Sequence, residues 1–211
     1  MRKPSASPGS VQDEVKAALE WLARYGIHTR DTTHGVSKAG IPTLAKRLGR
    51  NHELAAAFVD EPARVTPSPM DRWCRDFDNW GICDTLCFCL FDRTPHAWAK
   101  VTQWGAKREE FVKRAGFALL ACLALHDKNA RDEQFLECLP LIERAAPDER
   151  NFVKKGVSWA LRAVGRRNAV LHAAAVTLAR RLADSTGPAP RWVGQDALRD
   201  LTKPRAKGRR Q

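Results

Sequence analysis

Apolar residues recur along this chain at helical spacing almost from end to end, and no stretch alternates in the way a half-buried strand does. Val11, Val15, Ala18, Leu19 and Leu22 share one face of a helix predicted over residues 11–24. A second is expected over residues 41–48, with Pro42 in its first turn and Gly49 closing it, and a short third over residues 52–59. Pro67, Ser68 and Pro69 should break the chain before a helix over residues 70–78, and Asn79 should cap the next, over residues 80–91. In the following turn Thr94 is placed to cap, and Pro95 to begin, a helix over residues 95–104. The same periodicity predicts helices over residues 109–126, 133–144, 148–164, 167–183 and 195–202, joined by short polar segments.

Many short helices, each apolar on one stripe and too small to stand alone, describe either an irregular bundle or a stacked helical-hairpin solenoid. An internal echo favours the solenoid. Phe111-Val112-Lys113-Arg114-Ala115-Gly116 and Phe152-Val153-Lys154-Lys155-Gly156-Val157 each open a long helix and lie 41 residues apart. That period is close to the ~40–47 residues of HEAT-type repeats. The expected architecture is therefore an all-α, HEAT-like α-α superhelix over residues 11–202, flanked by disordered basic tails at 1–10 and 203–211.

Length and composition agree. The chain has 211 residues, 44% hydrophobic and 28% charged, and a domain of that size buries roughly 70% of the surface its unfolded chain exposes. Its longest apolar run, residues 115–125, spans 11 residues, well short of the ~20 that cross a bilayer. No apolar segment follows the N-terminal charges as in a secretory signal. Six cysteines without such a signal point to a reducing compartment, the cytoplasm.

Charge changes the picture more. The net charge of +12 and a pI near 9.9 point to a polyanionic partner. Arg2 and Lys3, with Lys203, Arg205, Lys207, Arg209 and Arg210, account for the tails and leave +5 for residues 11–202. The body must then supply any specific recognition.

Within it, Trp80 and Asp84 stand four apart and share a helical face. An indole beside a carboxylate suits a cationic ligand, attracted by the ring and neutralised by the acid. Taken alone, the spacing describes a core Trp beside a surface or capping Asp more readily. Lys113 and Arg114 lie in the first turns of a helix, where side chains and free N–H groups together favour phosphate, or are simply a solvated basic pair. Trp159 is either core or ligand-facing, and Arg162 either meets a phosphate or decorates a surface. Cys83, Cys87 and Cys89 lack the paired spacing of zinc sites and read, with Cys74, Cys122 and Cys138, as buried small thiols, so neither a metal nor a cofactor is expected.

Asn79-Trp80-Gly81-Ile82-Cys83-Asp84, Phe111-Val112-Lys113-Arg114-Ala115-Gly116 and residues 149–162, which end Ser158-Trp159-Ala160-Leu161-Arg162, together resemble the AlkD-like DNA alkylation repair family. The likeness runs from about residue 20 to 202, with the three motifs in family order. It implies a HEAT-like array cradling duplex DNA, and a glycosylase that hydrolyses the N-glycosidic bond of cationic alkylated purines such as 3-methyladenine and 7-methylguanine. Carried over by motif, Asp84 is the catalytic carboxylate, Trp80 and Trp159 the aromatic cradle, and Arg114 a contact at the lesion. Lys113, Lys154, Lys155 and Arg162 would meet the DNA backbone, in a monomer associated with the nucleoid. The alternative is a non-catalytic array that recognises distorted or branched DNA.

Two departures stand out. Gly81 follows the first Trp where relatives carry an acid, at a cost of ~1 kcal/mol against Ala in a helix interior. Between Ala57 and Phe58 a helix common to the family is missing.

Overall fold

A computed structural model describes residues 62–203, and these residues are all-α. In chain order the helices are α1 Pro67–Arg75, α2 Trp80–Cys89, α3 Ala97–Gly105, α4 Glu110–His126, α5 Asp132–Leu136, α6 Leu139–Ala145, α7 Asn151–Gly165, α8 Ala169–Ala183 and α9 Pro188–Leu201. Short 3-10 turns occupy Pro62–Arg64 and Phe91–Arg93. The helices predicted over residues 11–24, 41–48 and 52–59, the junction at Ala57 and Phe58, the N-terminal tail and residues 204–211 lie outside the described residues.

Two layers emerge from the packing. α2, α4, α7 and α9 follow one another side by side, while α3, α6 and α8 pack against α4, α7 and α9 respectively and meet each other through α6. The first layer runs parallel. Cys83 and Cys87 of α2 bond the carbonyls of Phe111 and Ala115 of α4, and Lys154 and Ser158 of α7 meet Trp192 and Asp196 of α9. Chain direction thus repeats at every second helix, the signature of stacked hairpins expected from the sequence.

At the centre stands α4, in contact with α1, α2, α3 and α7. Every residue from Arg114 to Ala124 is buried, so a helix that is apolar all round has found neighbours on all sides. Gly116 allows the closest of these crossings: a Cβ there would lie 2.4 Å from the backbone nitrogen of Gly105 in α3. Arg167 closes the far end of α4. Its guanidinium donates to the carbonyls of Ala124 and Ala130 and covers the Phe135 ring at 4.6 Å.

Several boundaries differ from the sequence reading, mostly where proline decides. Pro67 and Pro69 do not precede α1 but form its first turn, where a missing N–H costs nothing. Pro140 divides the single helix expected over 133–144 into α5 and α6, since it sits in the first turn of a new helix. Pro188 and Pro190 start α9 about two turns before the expected residue 195. Thr94 caps nothing in α3. Its hydroxyl donates to the Phe91 carbonyl, and α3 begins only at Ala97. α2 ends at Cys89, with Phe91 in the 3-10 turn that follows, and α7 begins at Asn151 because Asp148 is engaged by Arg150 and Lys113. Asn79 caps α2 as expected, accepting from the Ile82 N–H at 3.0 Å.

Candidate active site

Three of the sequence-predicted residues converge where α2, α4 and α7 begin. The Asn79 cap fixes the start of α2, which puts Trp80 at its first position and Asp84 one turn later. Small thiols at Cys83 and Cys87 allow α2 to lie close to α4, whose second turn carries Arg114. The Arg114 guanidinium then forks onto Asp84: Nε donates to Oδ1 at 2.9 Å and Nη2 to Oδ2 at 2.7 Å. Its third arm, Nη1, donates to the Phe152 carbonyl in the first turn of α7 at 2.6 Å. One side chain thereby ties three parallel helices together. Gly156 leaves room for its stem, since a Cβ there would lie 3.4 Å from Arg114 Cγ. The Trp80 ring centroid lies 5.9 Å from the guanidinium carbon, within cation–π range.

The electrostatics of this cluster are strained in a way ordinary surface pairs are not. Arg114 is 7% and Asp84 19% exposed at the side chain. Burial raises the Asp84 carboxyl above its ordinary pKa, and the bonds and charge of Arg114 oppose that rise without reversing it. Arg114 moves up as well, because the Asp84 carboxylate outweighs the effect of burial on the guanidinium. Each Asp84 oxygen accepts one hydrogen bond from Arg114.

Trp159 stands in the third turn of α7. It lines a groove of about 580 Å³ with Ala121, Ala124, Leu125, Lys128, Arg162 and their neighbours, and none of Trp80, Asp84 and Arg114 is part of that lining. Trp80 and Trp159 are both partly exposed.

The cations expected on a DNA backbone are partly committed within the fold. Lys113 pairs with Asp148 at 3.0 Å. Asp148 is also gripped by Arg150, whose hydrogen bonds, ahead of Lys113, hold its carboxyl well below the usual range against burial. The Lys154 ammonium lies 5.0 Å from the Trp192 ring centroid, and Lys155 is exposed. Arg162 stands 3.6 Å from Asp196 and 4.0 Å from Asp200.

Arg162 is one rung of a ladder that sequence reasoning missed. Ser158 and Arg162 of α7, with Arg166 at its C-cap, face Asp196 and Asp200 of α9: Ser158 donates to Asp196 at 2.6 Å, and Arg166 pairs with Asp200. The spacing of Ser158, Arg162 and Arg166 at four-residue steps, against two acids four apart, was the available signal. All six cysteines are buried and free. Burial drives the Cys87 and Cys122 thiols far up, which fits inert packing. Among the described residues no group of His, Cys, Asp and Glu could hold a metal ion, and no helix is long and apolar enough to cross a membrane.

A comparison with family models matches residues 50–201 to the family described as DNA alkylation repair enzyme. Neither a curated protein nor a solved structure matches the chain.

Proposed function

Since the chain belongs to the DNA alkylation repair enzyme family, we propose that it is a DNA glycosylase. Its substrate is a cationic alkylated purine in duplex DNA, of the 3-methyladenine or 7-methylguanine type, and its reaction is hydrolysis of the N-glycosidic bond. The observation that carries this reading is the half-buried Asp84 carboxylate, held in place by the fork of Arg114, whose guanidinium also lies over the Trp80 indole. Burying an acid at an energetic cost and fixing its orientation is what a catalytic group requires and a solvated surface pair does not.

Chemistry follows from the leaving group. A purine alkylated at N3 or N7 already carries positive charge, so cleavage returns the bonding electrons to the ring and a neutral base departs. Positive charge then passes to the sugar, as in glycoside hydrolysis, where a carboxylate stabilises the oxocarbenium-like transition state. Asp84 supplies that negative charge, orients the water whose oxygen joins C1′ and takes up the proton that this water gives up. Trp80 offers its face to the cationic base. Arg114 acts on Asp84 as a positioning residue and also neutralises part of the charge nearby. Lys154, Lys155 and Arg162 would meet the phosphates, and Lys113 would do so only by releasing Asp148.

The test is incubation of methylated duplex DNA with the protein and with Asp84→Asn, followed by quantification of free 3-methyladenine and 7-methylguanine. Release by the wild type alone supports the assignment. Equal release by both removes Asp84 from the chemistry. No release by either, with salt-sensitive duplex binding intact, points instead to a non-catalytic array for distorted or branched DNA.

A further inference from the structure

α2 buries Gly81, Ile82, Cys83, Leu86, Cys87 and Cys89, which leaves Trp80, Asp84, Thr85 and Phe88 on its open side. Asp84 therefore has an aromatic residue one turn away in each direction, and the chemistry above uses only Trp80. Phe88 is 41% exposed, the most open aromatic side chain among the described residues. A ring left in water forgoes the stabilisation of burial, yet this one is held firmly. Its edge meets the His126 ring, with centroids 4.4 Å apart and planes at 75°. His126 Nδ1 is hydrogen-bonded to Oδ2 of Asp92, whose side chain is fully buried. The other oxygen, Oδ1, has no hydrogen-bond partner among the described residues. Burial raises the Asp92 carboxyl above its ordinary pKa, against the bond and charge of His126. An acid buried at that cost fixes the orientation of one imidazole, and that imidazole seats Phe88.

Phe88 carries no donor for a phosphate or a base edge, so it can meet DNA only through its apolar ring. On one helical face the Cβ atoms of Asp84 and Phe88 are ~5–6 Å apart, and successive bases of a strand are ~3.4 Å apart. A ring at that offset reaches the base step next to a nucleotide held at Asp84. Apolar side chains that enter a base step unstack it and kink the duplex. We propose that Phe88 is such a wedge, entering the step beside the nucleotide at Asp84, with His126, fixed by Asp92, as the positioning residue behind it. Opening that step frees one face of the purine and gives Asp84 access to its sugar. The proposal rests on the reading of the chain as a DNA-binding protein that works at Asp84, but not on excision itself.

The wedge can be read on undamaged DNA. A duplex carrying 2-aminopurine at several adenine positions brightens when a step beside the probe opens, and anisotropy on the same samples shows when it is saturated. Saturation by the wild type should raise the 2-aminopurine signal. Phe88→Ala, a truncation of an exposed side chain, should abolish the rise. It should also weaken duplex affinity about tenfold, the scale of one lost base–aromatic contact, without changing the salt slope. Phe88→Leu keeps an apolar wedge and should retain most of the rise, while His126→Gln should reduce it. A saturated duplex that stays dark would overturn the proposal, as would a rise that survives Phe88→Ala or one that Phe88→Leu loses just as completely. A full rise in His126→Gln would remove the positioning role of that residue. Because the DNA is undamaged, failure here is separable from failure of the glycosylase reading, which is judged by base release. A duplex that never saturates would instead sink the DNA-binding reading on which both stand.

Discussion

Replacing Asp84 by Asn should leave the fold nearly as stable as before, or more stable, while base release disappears. The expectation comes from the balance of terms at the Arg114–Asp84 pair. Removing the carboxylate charge weakens two hydrogen bonds to a charged donor, and Asn keeps an acceptor oxygen for one of them, so the loss is about 1.5–3 kcal/mol. Against this, the fold no longer holds a carboxylate out of water, a cost of several kcal/mol for a buried ion. Burial holds the Asp84 pKa above its ordinary value even with Arg114 in place, so the folded carboxylate carries a cost that Asn does not. Arg114 is left buried without its counter-charge, which offsets the remaining gain, and a net change within about 1 kcal/mol follows. Arg114→Met is the opposite perturbation. It strands Asp84 without its partner and frees the Phe152 carbonyl, and it should cost about 3 kcal/mol at neutral pH. The sign of the pH dependence separates the two. A raised acid pKa contributes stability that is present below the unfolded value and lost as pH rises through the folded one. Asp84→Asn should therefore gain on the wild type as pH climbs from about 4 toward neutrality, and Arg114→Met should fall further behind. Urea unfolding followed by circular dichroism at several pH values measures both. A loss above about 3 kcal/mol in Asp84→Asn, in the range found when a buried pair is broken, would show that the pair exists to hold the fold and would undo the argument for a strained catalytic acid.

Gly116→Ala would place a Cβ 2.4 Å from the Gly105 backbone, which no rotamer change can relieve. It should lower stability by about 3 kcal/mol or more, visible in thermal melting, and a wild-type melting temperature would show that α3 and α4 can separate freely. Asp148 has the reverse linkage to Asp84. Its depressed pKa contributes stability above the unfolded value that is lost as pH falls through the folded one. Asp148→Asn should therefore lower stability at neutral pH and flatten its decline in acid, and an unchanged acid limb would refute this. Truncation of residues 203–211, with Lys203, Arg205, Lys207, Arg209 and Arg210, should weaken duplex binding and reduce its salt slope while base release at low salt persists. Trp159→Ala should weaken base release without loss of folding, and a collapse in melting temperature would assign the indole to the core instead.

Helix identity was legible because apolar periodicity reports burial, and burial is what these helices are built from. Boundaries near Pro67, Pro140 and Pro188 differ for a single reason: periodicity shows that a helix is nearby, while on which side of a Pro it lies depends on tertiary packing. That is why Pro67, Pro140 and Pro188 all begin helices. The Trp80–Asp84 spacing placed those two residues on one helix, and the resemblance added Arg114. The fork between Arg114 and Asp84, and its third bond to Phe152, depend on the approach of three helices. No local pattern encodes that approach. Asp196 and Asp200 were passed over because charges at surface spacing usually mean solvation, and only the face of α7 reveals their partners.

The parallel run of α2, α4, α7 and α9 has an electrical meaning beyond its packing. Four backbone dipoles point the same way, each equivalent to about half a positive charge at its N-terminus and half a negative one at its C-terminus. Their positive ends line one edge of the layer, next to Lys113, Lys154 and Lys155, and their negative ends line the other, where Arg162, Arg166 and Arg199 stand. Cations on the second edge are partly spent in balancing the backbone itself. On the first edge the same side-chain charge adds to the backbone's own, so a polyanion crossing the array meets a field with a direction, strongest at the edge where Asp84 is held.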